Sequence, residues 1–287
     1  MTEAVPTDAS SGVAPDGTPW STQGIGEALV FVHGVGMNRA VWTPQVQAFA
    51  RTHRTITYDL LGHGASPLPP ASPCLADFSD QLLGLLTHLG LERVTLVGHS
   101  MGALVALDLA LRRPECVQRL ITLNAVHGRP PAQRQAVMDR ARRLRENGAA
   151  DSLEQTLARW FGVNAACSSR PDIQQIRDWL LAVDRDGYAR AYQVFAEADD
   201  ALAGRITELG APALFLTGEF DPHSTPEMST RLAAEVQRGE ARVLLGERHM
   251  MAWETPGEVN QLIEDFIART VDQGDTTAMP ADSRAGG

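Results

Sequence analysis

Short, unbroken apolar runs recur along this chain, and they limit its architecture more than any other feature. Ala28 to His33 (ALVFVH), Thr55 to Asp59 (TITYD), Val94 to Gly98 (VTLVG), Leu120 to Asn124, Ala213 to Gly218 (ALFLTG) and Ala241 to Leu245 (ARVLL) have the length and composition of strands. They are continuous rather than alternating, which is the pattern of a sheet covered on both faces. Longer amphipathic or apolar stretches separate them: Ala40 to Ala50, Asp77 to Leu89, Met101 to Leu111 and a closing segment from Val259 to Ile267. Such alternation implies an α/β fold, a mostly parallel twisted sheet with helices on both faces. In such sheets chemistry sits beyond the carboxyl ends of the strands.

The alternation breaks once. From about His127 to Arg205 there is no clear strand and several helical patterns, so an all-helical cap over the sheet is expected. The α/β core is then expected in two parts, 1–126 and 206–270, with the cap at 127–205. Trp160, Phe161, Trp179, Tyr188, Tyr192 and Phe195 fall in this cap; aromatics at helical spacing mostly pack a core of their own. Pro15-Asp16-Gly17 is a turn signal that would close a short hairpin before Trp20. Residues 1–10 are polar and expected to be mobile, and 271–287 read as a disordered tail.

All 25 basic residues are arginine. Without lysine there is no Schiff-base lysine, no pyridoxal phosphate chemistry and no phosphate-binding loop with its lysine. A net charge of −10 disfavours nucleic acid and anionic membranes as partners. Cys74, Cys116 and Cys167 stand far apart and form no paired framework, which points to a reducing compartment. With no signal-like start and no apolar run near the ~18 residues of a membrane span, a cytoplasmic location is expected. A homodimer is the expectation from base rates alone.

The most specific motif is Gly98-His99-Ser100-Met101-Gly102, between the run VTLVG and an apolar helix. A serine on that sharp strand-to-helix turn has its hydroxyl exposed, and the flanking glycines leave room for the turn. Two further motifs follow apolar runs: His33-Gly34-Val35-Gly36, and Tyr58-Asp59-Leu60-Leu61-Gly62-His63-Gly64. On these motifs the chain resembles the α/β-hydrolases from about residue 28 to 256. The resemblance implies the α/β-hydrolase fold, a nucleophile at Ser100 and an oxyanion loop at His33–Gly36.

A serine needs a base to take its proton. Of eight histidines, His249 follows the last run in Gly246-Glu247-Arg248-His249, at the end of the sheet where a base must stand. His33 and His63 read as structural members of turns. His99 is expected to point away from Ser100, and His53, His88, His127 and His223 read as surface or turn residues. Asp221, in Gly218-Glu219-Phe220-Asp221-Pro222, matches the family's G-x-x-D pattern as the acid that orients the base. Glu219 misses that spacing, and Asn124, at the alternative location, cannot hold a charge. The chain order Ser100, Asp221, His249 is the one the resemblance implies. The oxyanion requires two backbone donors, assigned to the amides of Val35 and Met101. No metal or cofactor is implied. Haloalkane dehalogenases and epoxide hydrolases of this fold use a carboxylate nucleophile, so a serine excludes their chemistry.

The segment from Asp151 to Phe161 is similar to cap segments of 3-oxoadipate enol-lactonase-like members. That similarity implies a small-molecule substrate: an ester, enol-lactone or amide from aromatic or heterocyclic catabolism, with Trp160 lining the pocket. From Arg129 to Arg205 there are 12 arginines against 11 acidic residues, far less negative than the rest. A local field of this kind suits a carboxylate-bearing substrate, with Arg159 its expected contact. The run Arg140 to Arg145 (RARRLR) is expected to be a solvated helix face. Two rival readings share the same motifs: a carbon–carbon bond hydrolase of ring-cleavage products, and a small-molecule receptor of hydrolase fold.

Overall fold

The computed structural model describes residues 8–165 and 168–271. Eight strands form one sheet in the order β1-β2-β4-β3-β5-β6-β7-β8. They span Ser10–Val13, Pro19–Gln23, Ala28–Val32, Arg54–Tyr58, Val94–His99, Val117–Leu123, Ala213–Gly218 and Gly239–Leu244. β3 to β8 pair in parallel. β1 and β2 form an antiparallel hairpin closed by the Pro15-Asp16-Gly17 turn, and β2 runs antiparallel to β4. Ser10 therefore opens a strand rather than belonging to a mobile end. The rest of that terminal expectation, residues 1–7, and the tail beyond Val271 lie outside the described residues.

Every residue of β3, β5 and β7 is buried, which is the burial their continuous apolar runs demand. The core helices are α1 (Thr43–Phe49), α2 (Leu75–His88), α3 (Met101–Arg112), α8 (Pro226–Glu235), the short α9 (Met251–Glu254) and α10 (Pro256–Val271). α3 lies along β5 and β6 with α2 against it; α8 lies along β7 and β8; α1 and α10 meet each other. Ala40 to Ala50, read as one helix, is a 3₁₀ turn at Arg39–Trp42 followed by α1. Pro44 sits in the first turn of α1, where its missing N–H leaves no intrahelical bond unmade.

Between β6 and β7 the described residues form the α-helices α4 (Pro131–Asn147), α5 (Leu153–Phe161), α6 (Pro171–Ala182) and α7 (Arg185–Leu202). α4 packs on α7 and α5 on α6, and α7 reaches α2 and α3 of the core. The seat of α7 is a backbone contact. A Cβ on Gly187 would fall 2.4 Å from the Gly62 carbonyl oxygen, and one on Gly62 would fall 2.5 Å from the Gly187 Cα. Gly62 also needs its positive φ of 74°, which L side chains rarely adopt. Gly187→Ala is therefore expected to destabilise by about 1–3 kcal/mol, as overpacking does. That is a melting temperature lower by several degrees; an unchanged value would mean that α7 shifts freely on the core.

Candidate active site

Ser100 follows β5 directly and precedes α3. Its backbone is strained, with φ 54° and ψ −116°. A Cβ on Gly98 would fall 2.4 Å from the Gly102 carbonyl, and one on Gly102 would fall 2.2 Å from the Val32 carbonyl. Both glycines are thus required for strand and helix to meet at this angle. The Ser100 amide donates to the Leu123 carbonyl at 2.9 Å, tying the turn to the end of β6.

Asp221 follows β7 and His249 follows β8. His249 Nδ1 donates to Asp221 Oδ2 at 2.6 Å, and Asn124 Nδ2 donates to the same oxygen at 2.8 Å. The amides of His223 and Ser224 donate to Oδ1 at 2.9 and 3.1 Å. Burial alone would push the Asp221 carboxyl up. The neighbouring His249 and these donors outweigh it and hold the group well below the usual carboxylate range. Glu219 is exposed and accepts from the Gly246 amide at 2.8 Å, away from this cluster.

Ser100 and His249 line one cavity of about 40 Å³, roofed by the helices between β6 and β7. Trp160 stacks on the His249 ring with centroids 5.8 Å apart and planes at 25°. Arg159 and Val35 line the cavity as well. Met101 is fully buried at the start of α3. The sequence-assigned residues Ser100, His249, Trp160, Arg159 and Val35 are thus brought together, with Asp221 behind His249.

Sequence reasoning missed several others. His223, read as a surface or turn histidine, lines the cavity, because the loop from Asp221 to Ser224 turns inward on the Asp221 carboxylate. Arg140, read as part of a solvated face, also lines it; it stands three residues after buried Val137 on the inner side of α4, whereas Arg142 and Arg143 are exposed. That helical spacing was the available signal. Arg129 is a third lining arginine, donating to the Phe195 carbonyl and lying 4.5 Å over the Phe195 ring. Of the aromatics expected to fill the insertion's own core, Tyr188, Tyr192 and Phe195 are buried and also face the cavity. Trp179 packs on Trp253 instead. A larger groove of about 430 Å³ lies beside Arg145 and Arg190 but touches neither Ser100 nor His249.

Three buried histidines brace the site. The Gly36 amide donates to His63 Nε2 and the Leu60 amide to His33 Nε2, both at 2.9 Å. The other ring nitrogens donate to the Leu61 and Gly34 carbonyls. His99 turns from Ser100 and donates to the His249 carbonyl at 2.9 Å. Burial lowers His33 to about 4 and His63 and His99 to about 3, aided by neighbouring positive groups.

The α/β-hydrolase family model matches residues 27–256. The chain belongs to the α/β-hydrolase family. The (E)-2-((N-methylformamido)methylene)succinate hydrolase of Acinetobacter baylyi is 38% identical over 86% of this chain and 93% of its own length. A 3-oxoadipate enol-lactonase of the same organism is 28% identical over 84% of this chain and 89% of its own. Among solved structures, an esterase from Thermogutta terrifontis with malate bound matches with a TM-score of 0.80 at 26% identity, over 93% of this chain and 99% of that one. This α/β-hydrolase is an enzyme of the hydrolase class with enol-lactonase-like relatives. No group of His, Cys, Asp and Glu among its described residues could hold a metal ion, and no described helix is long and apolar enough to cross a membrane.

The bracing histidines predict the acid limit of the hydrolase. Unfolded, they bind protons near the ordinary value; folded, they do so only near 3 to 4. Between these limits the unfolded state holds more protons, so stability falls as pH falls. The expected slope is about 1 kcal/mol per histidine per pH unit between about pH 6 and about pH 4. Urea unfolding at a series of pH values measures it, and a flat profile would contradict neutral, buried rings.

Proposed function

We propose that the enzyme is a serine hydrolase cleaving a small, carboxylate-bearing ester, enol-lactone or amide through an acyl-enzyme. His249 takes the Ser100 proton while Oγ attacks the carbonyl carbon. The Val35 and Met101 amides hold the resulting oxyanion. The protonated His249 gives its proton to the leaving oxygen or nitrogen, and the acyl group stays on Ser100. His249 then takes a proton from water, whose oxygen attacks the ester; as the bond to Oγ breaks, His249 returns that proton to Ser100 and the acid leaves. Asp221 fixes the tautomer and orientation of His249 and stabilises its cation. The carrying observation for this chemistry is the 2.6 Å bond between Asp221 and His249 beside a serine at a strained strand-to-helix turn. Supporting the loop assignment, the Gly36 amide is already bonded to His63 and the Met37 amide to Gly34.

The acidic substrate rests on the cavity lining. It contains Arg129, Arg140 and Arg159 and no acidic side chain among the described residues. Burial, with Arg140 nearby, lowers Arg159 to about 10, so it stays charged at neutral pH with no carboxylate paired to it among the described residues. Two of the proteins it resembles bear on the same point. One is named for a succinate that carries a formamide, and another was solved with malate; both molecules are dicarboxylates. The formamide in one relative's name and the enol-lactone in another's support an amide or enol-lactone as well as a simple ester. The small, aromatic-walled cavity favours compact substrates over long acyl chains.

Ser100→Ala is expected to abolish hydrolysis of 4-nitrophenyl acetate, and Asp221→Asn to lower turnover about 10³–10⁴-fold, the cost of a wrong histidine tautomer. Full activity in Asp221→Asn would assign the acid elsewhere. Arg159→Gln is expected to raise the KM for a carboxylated ester about tenfold, as loss of a charge-assisted hydrogen bond does. An unchanged KM would remove Arg159 from the substrate contacts.

A further inference from the structure

The loop that carries the triad acid ends in two polar side chains that the hydrolytic steps leave unused. His223 and Ser224 are fixed by their amides on the Asp221 carboxylate, and their side chains line the cavity with Ser100 and His249. The Ser224 hydroxyl and His223 Nε2 are buried with no hydrogen-bond partner among the described residues. Ser224 itself has no exposed surface. The loop is held from both sides: Thr217 Oγ1 donates to the Ser224 carbonyl, and Gln133 of α4 donates to the His223 carbonyl at 2.9 Å. Buried polar atoms are almost always satisfied. Two orphans side by side, in a cavity that also holds guanidinium groups, call for a ligand that bonds to both.

We propose that His223 and Ser224, together with Arg140 and Arg159, form the subsite that receives the acidic group of the substrate and sets the preference for anionic over neutral substrates. This rests on the carboxylate-bearing substrate argued above. Hydroxyl, guanidinium and imidazole N–H are all donors to a carboxylate oxygen. The groups around His223 are Arg129 and Arg140 on the α4 side, Arg159 on α5, Tyr188 and Tyr192 on α7, and Asp221 and His249 on the core. Burial first, and then the charges of Arg140 and Arg159, lower His223 to about 4 against the opposing pull of Asp221. A carboxylate arriving among these groups cancels the guanidinium repulsion and adds an attraction of its own. The imidazole therefore takes a proton from solvent as the anion binds. By linkage, the anion binds more tightly as pH falls, and a neutral ester does not.

Calorimetric titration of the full chain with succinate, in two buffers of different ionisation enthalpy, reads that proton directly. The expected result near pH 7 is net proton uptake, lost in His223→Gln. The wild-type Kd should tighten severalfold from about pH 7.5 to about pH 6, at most about tenfold per unit for one proton. Ser224→Ala should bind succinate about fivefold more weakly, the loss of one hydrogen bond, and gives a second reading if His223→Gln does not fold. In both variants the ratio of KM for an acidic ester to KM for a neutral one should rise. No succinate binding, no proton uptake in the wild type, or equal uptake in His223→Gln overturns the proposal. Hydrolysis of 4-nitrophenyl acetate, measured in parallel, separates the two readings. Its absence with uptake intact refutes the serine mechanism alone; its presence without uptake refutes the subsite alone.

Discussion

A carboxylate at 3% exposure stays ionised only if donors replace its water, and Asp221 has four. They come from three places in the chain: Asn124 at the end of β6, the loop after β7, and His249 after β8. The hydrogen bonds that keep the charge also fix the spacing of three adjacent strand ends. Asn124 adopts a φ of 54° to reach in, a conformation asparagine tolerates better than most residues. The Ser100 turn is anchored to the same strand end through the Leu123 carbonyl. The whole arrangement at the carboxyl edge of the sheet is thus organised around one buried negative charge.

The complementary charge lies in the helices above. Because the chain has no lysine, every permanent cation lining the cavity is a guanidinium, which is weakly hydrated and keeps its charge when buried. Arg159 remains charged at neutral pH despite the downward pull of burial and of Arg140. An ammonium at the same depth would shed its proton far more readily. Arg140 is oriented by the Tyr192 hydroxyl at 3.0 Å and Arg159 by the Thr156 hydroxyl, so both forks are set in place by neutral partners.

The middle of the sheet was legible because β3 to β7 are almost wholly buried and leave an apolar signature that needs no partner to interpret. Ser100, Asp221 and His249 were legible as candidates because each sits within a few residues of a strand's carboxyl end, where glycine or proline marks the turn. His223 and Asn124 were not. Their roles come from how two loops fold back onto Asp221, and nothing in the local sequence encodes that contact. Arg140 lay between these cases: its neighbours in the run face solvent, and only its helical phase with Val137, Ala141 and Leu144 sets it apart. Charge run and inward phase compete within one segment, and the phase decides the geometry.

The contact between Gly62 and Gly187 has a consequence for how this enzyme can diversify. Residues 131–202 carry most of the cavity wall, so exchanging them for another helical segment is the obvious route to a new substrate. Yet the exchanged segment must bring a glycine to the point where α7 touches the loop after β4, or the wall stands off the carboxyl edge of the sheet. The insertion is a replaceable part with a fixed fitting, and that fitting stands one residue before Tyr188, where α7 begins to line the cavity.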